Sequence, residues 1–127
     1  MGNSKSGALE RDRTRRVALV TGGSRGIGRA CAVALAQDGY DIAVVYAGGA
    51  DAARETCTAC TAAGATARAY QCDVADSDAV DACVEEVLGD FGSVWALVNN
   101  AGITRDGLLM RMDDDAFGRV LDVNLKG

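Results

Sequence analysis

Histidine and proline are absent from this chain, lysine occurs only at Lys5 and Lys126, and aromatic residues make up 5 % of it. Each absence removes a class of answer. Without histidine, the single metal-like spacing, Cys57-Thr-Ala-Cys60, lacks partners for a four-ligand set, and no second Cys-x-x-Cys replaces them. The pair sits in an Ala-rich helical stretch and reads as two small helix residues; accidental oxidation of Cys57 is the alternative. Five cysteines (Cys31, Cys57, Cys60, Cys72 and Cys83) are an odd set, which points to free buried thiols rather than a disulfide framework. No metal site is expected. Long apolar runs are missing too: Val17–Val20 and Ile42–Ala47 are strand-sized and far too short to cross a bilayer. The polar N-terminus lacks the apolar core of a signal peptide, so a cytoplasmic protein without membrane contact is the expectation.

Charge is unevenly spread. The net charge is −5, yet residues 1–16 carry Lys5, Arg11, Arg13, Arg15 and Arg16 against Glu10 and Asp12, or +3, which leaves −8 for the remainder. An acidic body argues against nucleic-acid binding, where clustered Lys and Arg must neutralise phosphates. The basic leader, Met1 to about Arg16, reads as a flexible, solvated segment, with an anionic partner as the alternative.

A chain of 127 residues, 49 % apolar and 24 % charged, fits one soluble domain with a modest core. From Arg16 onward the pattern is β, then α, repeatedly. Val17–Val20 is a short continuous apolar run, as a strand covered on both faces requires. Ile27, Ala30, Cys31, Ala34 and Leu35 make one helical stripe that Gly39 ends. Ile42–Tyr46 is a second strand, about Asp51–Ala63 a second helix closed by Gly64, and Thr66–Gln71 a third strand. Val80, Cys83, Val84, Val87 and Leu88 mark a third helix, with Asp76, Asp78 and Asp81 near its start, where the helix dipole favours carboxylates. Val94–Val98 is a fourth strand. A last helix is predicted from Asp113, with the stripe Phe117, Val120, Leu121 and Asn124. Strands alternating with helices of this length predict right-handed βαβ units and a parallel sheet, without repeats or low-complexity linkers inside 17–127.

Between the first strand and the first helix stands Thr21-Gly22-Gly23-Ser24-Arg25-Gly26-Ile27-Gly28. In that context Gly22 allows a tight turn, Gly26 lets the backbone approach a pyrophosphate, and Gly28 permits close helix-on-strand packing. The helix start offers unpaired N–H groups and a positive dipole end to phosphates. A dinucleotide site is the reading, and a merely structural β-to-α turn the alternative. The end of the second strand selects which dinucleotide. NAD sites place a carboxylate about 20 residues on, to hold the ribose 2′-OH. Here Tyr46 lies 18 residues past Gly28, and no Asp or Glu occurs between Asp41 and Asp51. That absence, with Arg25 able to pair a phosphate through its planar fork, favours NADPH over NAD; Arg25 as an ordinary solvated residue is the alternative.

The spacing Thr-Gly-x-x-x-Gly-x-Gly, with Asn99-Asn100-Ala101-Gly102 after the fourth strand, resembles the short-chain dehydrogenase/reductase family. The run Asn99-Asn-Ala-Gly-Ile-Thr-Arg-Asp-Gly-Leu-Leu-Met-Arg-Met112 is similar, more narrowly, to its 3-oxoacyl-[acyl-carrier-protein] reductase branch. The likeness covers residues 16–127 and implies a Rossmann-like, doubly wound parallel sheet of about four strands in order 3-2-1-4. It implies that Gly22, Gly23, Ser24 and Arg25 meet the adenosine phosphate region and that Gly26, Ile27 and Gly28 lie over the pyrophosphate. It also implies a 2′-phosphate near Tyr46 and Ala47, an adenine bracketed by Asp73 and Val74, and Asn100, Ala101 and Gly102 beside the nicotinamide ribose. Asp73 as a helix cap is the alternative there. Asn99 would tie adjacent strands together. Asn124 would position a water of the proton relay, or, as the alternative, be an inward amide satisfied by backbone.

NADPH-dependent reduction of a 3-oxoacyl thioester on a carrier protein is the activity implied, in a homotetramer. A polyketide, sugar or steroid ketone is an alternative substrate, and a non-catalytic dinucleotide-binding module an alternative of another class. Two departures stand out. Trp95 occupies a position where relatives show a carboxylate. More seriously, the family's Ser and Tyr-x-x-x-Lys have no counterpart, since the residues four after Tyr40, Tyr46 and Tyr70 are Val44, Ala50 and Val74. The resemblance implies that 17–127 is a dinucleotide-binding half, incomplete at its C-terminus, inactive by itself, and left with the fourth strand as a raw edge.

Overall fold

Strand-sized apolar runs separated by helices assemble into a parallel sheet in the computed structural model, which describes residues 9, 11–12, 14–24, 26–73, 75–99 and 117–121. The elements are β1 (Val17–Thr21), α1 (Gly26–Gln37), β2 (Asp41–Tyr46), α2 (Ala50–Ala62), β3 (Ala67–Gln71), α3 (Ser77–Phe91), β4 (Val94–Asn99) and β5 (Phe117–Leu121). The sheet order is β3-β2-β1-β4-β5, every pair parallel. The expected 3-2-1-4 arrangement is present, and one more strand extends it.

Why β1 and β2 are apolar throughout is plain from the two cores. Val17, Leu19, Ala43 and Val45 face α3, packing with Val80, Val84, Val87 and Phe91. Their neighbours Ala18, Val20, Ile42 and Val44 face the other side, with Ala32 and Ala36 of α1 and Ala53 and Cys60 of α2. Helices on both faces leave no wet side for polar residues to occupy. The α3 stripe falls as its periodicity predicts. Asp76 caps this helix, accepting from the N–H groups of Asp78 and Ala79, and Gly92 ends it at φ 91°.

Three expectations are corrected. The buried face of α1 is Gly28, Ala32 and Ala36, not the stripe that begins at Ile27; Ala30 and Ala34 are exposed. Large residues dominate a periodicity count, whereas a helix lying close on a sheet needs small ones. Second, residues 117–121 are not helical. They run parallel to β4, with Val94 opposite Phe117 and Val98 opposite Leu121. So short an apolar segment satisfies either period, and the unpaired N–H and C=O groups along β4 are met by pairing. The edge expected to be raw is covered. Third, Arg11 and Arg15 of the basic segment before β1 are not simply solvated. The Arg11 side chain is 2 % exposed, and its Nη1 lies 2.8 Å from Oδ2 of Asp41, which is fully buried. Arg15 Nε donates to Asp41 Oδ1 at 2.7 Å, and Arg11 Nη2 to the Phe91 carbonyl at 2.7 Å. A buried carboxylate must find cations or donors. Asp41 takes these two and the Thr66 N–H.

Candidate functional site

Parallel register brings the carboxyl ends of the strands to one edge. Thr21 stands opposite Val45 on one side and Asn99 on the other, and Tyr46 opposite Gln71. The chain winds outward from β1 through β2 to β3, then returns to place β4 against the free side of β1. Such a reversal leaves a crevice outside the strand ends, where ligands of open α/β sheets bind. The segments after β1, β2 and β3 open onto that edge. Arg25, Val74, Asn100, Ala101, Gly102 and Asn124 lie outside the described residues.

The loop after β1 is built by glycine. Gly22 and Gly26 adopt φ 65° and 63°, a region where side chains are strained. Gly23 is needed for space instead: a Cβ there would come within 2.9 Å of Val44 Cγ1. Its N–H donates to the Val45 carbonyl at 3.2 Å, which seats the loop on β2. At Gly26 a Cβ would meet nothing within 4 Å, so the start of α1 is open on that side. No acidic residue occupies the first turn of α1 to neutralise its positive end. Ile27, beside it, is 53 % exposed, and is the large apolar residue left most open among those described. An open loop, an unneutralised helix start and an uncovered apolar side chain together fit an anionic ligand with a flat apolar part.

Sequence reasoning missed two residues behind this loop. Thr56 of α2 donates to the Gly23 carbonyl at 2.8 Å, and Arg29 of α1 donates through Nε to the Thr56 hydroxyl at 2.9 Å. Arg29 Nη2 also reaches the carbonyls of Ser24 and Ala52, at 2.8 and 2.9 Å. A hydroxyl on the inward stripe Ala53–Thr56–Cys60 was the available signal, since a buried polar atom requires a partner.

At the end of β2, Tyr46 is half-buried and Ala47 exposed. The Ala47 carbonyl accepts from Gln71 Nε2 at 3.2 Å. Gly49 precedes α2 at φ 80° and gives it no side-chain cap. Asp51, in the first turn of α2, pairs with Arg54. Asp41, the carboxylate nearest in sequence on the other side, is at the opposite end of β2 and bound by arginines. At the end of β3, exposed Asp73 accepts from the Ala75 N–H at 3.0 Å and makes the turn into α3. The helix cap is Asp76, not Asp73.

Cys57, Cys60, Cys72 and Cys83 are not poised for chemistry. Burial pushes Cys83 up to about 12 and Cys60 up to about 11, and raises Cys57 and Cys72 above the ordinary thiol value. A reactive cysteine needs the reverse shift. Among the described residues no group of His, Cys, Asp or Glu is placed to hold a metal ion, and no helix is long and apolar enough to cross a membrane. A pH dependence follows. In the unfolded chain Cys60 and Cys83 lose their protons near 9.0, in the folded chain only towards 11 and 12. Tyr70, raised by burial and by its 2.6 Å bond to Asp90 Oδ2, acts the same way above 10.0. The unfolded state therefore releases protons first, and native stability is expected to fall as pH rises through this window, these groups adding no pH dependence below it. Urea midpoints measured at about pH 8 and about pH 10.5 check this, a flat profile being the contrary result.

Residues 16–127 match the family model of the short chain dehydrogenase. Over 110 residues the chain is 53 % identical to "3-oxoacyl-[acyl-carrier-protein] reductase FabG" of Staphylococcus aureus, an alignment covering 87 % of this chain and 45 % of that one. It is 47 % identical to the 3-oxoacyl-[acyl-carrier-protein] reductase of Synechocystis over 114 residues, covering 90 % and 46 %. The crystal structure of a 3-oxoacyl-[acyl-carrier protein] reductase from Brucella melitensis in complex with NAD superposes with a TM-score of 0.65 at 38 % identity, over 74 % of this chain and 35 % of that one. The chain thus spans about half the length of the curated relatives it matches.

Proposed function

Because the chain belongs to the short chain dehydrogenase family, we propose that residues 17–127 are the NADPH-binding half of a cytoplasmic ketone reductase acting on a 3-oxoacyl thioester carried by acyl carrier protein. The observation carrying this reading is the open glycine loop at the strand reversal, followed by a β2 end with no carboxylate. When bound, the reduced nicotinamide supplies hydride to the keto carbon, and a 3-hydroxyacyl product results. The relatives named as 3-oxoacyl-[acyl-carrier-protein] reductases support the substrate class.

Each group at the crevice then has a task. Gly22, Gly23, Ser24 and Arg25 hold the adenosine phosphates, and Gly26, Ile27 and Gly28 bring the start of α1 to the pyrophosphate. Tyr46 and Ala47 meet the 2′-phosphate, where the uncapped start of α2 leaves N–H donors free of a competing side chain. Asp73 and Val74 flank the adenine, and Asn100, Ala101 and Gly102 the nicotinamide ribose. Asn124 orders a water of the proton relay. The proton that completes the reduction has no Tyr-x-x-x-Lys source here, since Val44, Ala50 and Val74 stand four residues after the tyrosines. Tyr70 donates to Asp90 and is pushed up by burial, which holds its proton too tightly for an acid. Ser and Tyr-x-x-x-Lys would be supplied by residues beyond these 127, in a homotetrameric enzyme.

The Brucella structure was solved with NAD, so the preference for the phosphorylated coenzyme rests on the carboxylate-free β2 end and on Arg25. Calorimetric titration is expected to show NADPH binding at least about tenfold tighter than NADH, some 1.4 kcal/mol. Tyr46→Asp, which sets a carboxylate beside the 2′-phosphate, should weaken NADPH by a similar factor and spare NADH. Equal affinities in the parent chain, or an unchanged ratio in the variant, would remove the basis for choosing NADPH.

A further inference from the structure

We propose that Arg29 and Thr56 are positioning residues for dinucleotide binding: from behind the glycine-rich loop they clamp the carbonyls of Gly23 and Ser24. The proposal rests on the dinucleotide reading above and adds to it two residues on helix faces, outside both the glycine and the Asn-Asn-Ala-Gly motifs.

Thr56 is fully buried and sits on the middle of α2, 33 residues from the loop in sequence. Its hydroxyl carries one proton and has three carbonyls within reach: Gly23 at 2.8 Å, Ser24 at 3.2 Å and Ala52 at 3.2 Å. The shortest is the loop's own. Ala52 is one turn back on the same helix, and a free threonine in a helix would bond there alone. Here the hydroxyl is drawn across to the loop. Arg29 completes the arrangement, donating to the same hydroxyl through Nε and, through Nη2, to the Ser24 and Ala52 carbonyls. One planar guanidinium thereby joins α1, α2 and the loop, a geometry a lysine ammonium does not reproduce.

The consequence for the ligand is stereochemical. Among the described residues every peptide bond is trans, so each carbonyl there points opposite to the N–H of the next residue. Pulling the Gly23 carbonyl toward Thr56 turns the Ser24 N–H away from α2. Gly23 is held on both sides, its N–H on β2 and its carbonyl on α2. A loop carrying two glycines at positive φ has wide conformational freedom. Fixing it in advance removes an ordering cost that a bound dinucleotide would otherwise meet.

Amide hydrogen exchange and dinucleotide titration on the purified chain test this together. Thr56→Val keeps the shape and removes the donor. It should speed exchange of the Gly23 amide, which donates to the Val45 carbonyl, at least about tenfold while leaving β3 and α3 amides unchanged. It should raise the Kd of NADPH and NADH alike by about tenfold, and Thr56→Ser should restore both. If Thr56→Val does not fold, Arg29→Lys carries the same test, with the same local exchange and a raised Kd expected. Uniformly faster exchange across the molecule would mean a merely structural role and overturn the proposal. So would a parent that binds while Thr56→Val binds equally well. A parent chain that binds neither dinucleotide overturns the functional reading and the positioning role with it.

Discussion

Asp41→Asn is expected to lower the stability of the folded chain by about 3–5 kcal/mol, because breaking a buried ion pair from one side leaves its charged partner without compensation. A loss of that size rivals the whole stability of a small domain. The stranded groups are Arg11, 2 % exposed, and Arg15, which is 24 % exposed and regains some water. Arg11 retains its bonds to the carbonyls of Phe91 and Arg15, and its guanidinium remains 5.6 Å from the Phe91 ring centre. Removing the charge as well should therefore help: Asp41→Asn with Arg11→Met is expected to recover part of the deficit, since an apolar replacement for a buried pair is often close to neutral. Urea unfolding of the parent, the single variant and the double variant reads this directly. A single variant within about 1 kcal/mol of the parent would show that the segment before β1 contributes little to the fold.

Turnover carries the other large effect. With NADPH saturating, the 127 residues by themselves are expected to reduce a 3-oxoacyl thioester no faster than background. A positioned acid contributes about 10²–10⁴-fold to such a step, and the sequence contains no Tyr-x-x-x-Lys to supply one. Lys126 and Lys5, the two lysines, do not follow any tyrosine at four residues, so no ammonium is spaced to lower a phenol's pKa. Coenzyme consumption followed by absorbance, with binding measured on the same sample, separates the possibilities. Binding without turnover agrees with a cofactor-holding half. Turnover at ordinary enzymatic rates would demand a proton donor of a different kind within these residues and would overturn the assignment of roles. Joining the chain to a segment that carries the Ser and Tyr-x-x-x-Lys should restore the rate if the crevice is built as described.

Strand and helix positions through β4 were legible because each is a local matter. Four or five apolar residues in a row between polar breaks can be buried only if both faces are covered, and Gly39, Gly64 and Gly92 mark the helix ends at φ 102°, 101° and 91°. The glycine loop was legible for the same reason, since its spacing states the backbone conformation. Local rules failed where two elements meet. The stripe beginning at Ile27 follows residue size, yet α1 approaches the sheet through Gly28, Ala32 and Ala36. Residues 117–121 suit a helix turn or a strand equally, and the open side of β4 settles the matter.

The strand order came from the family resemblance, whereas periodicity, turn residues and composition were enough to predict the alternating parallel α/β pattern, the glycine loop and the absence of a carboxylate at the end of β2. Those properties depend on neighbours within a few residues along the chain. Partner choice across the fold did not: that Arg11 and Arg15 share Asp41, or that Arg29 and Thr56 grip the loop from behind, involves separations of 26 to 33 residues. A charge or hydroxyl carries no mark of its distant partner. Only the packing of α1 against α2, and of Arg11 and Arg15 around Asp41, excludes water from these groups and obliges them to satisfy one another.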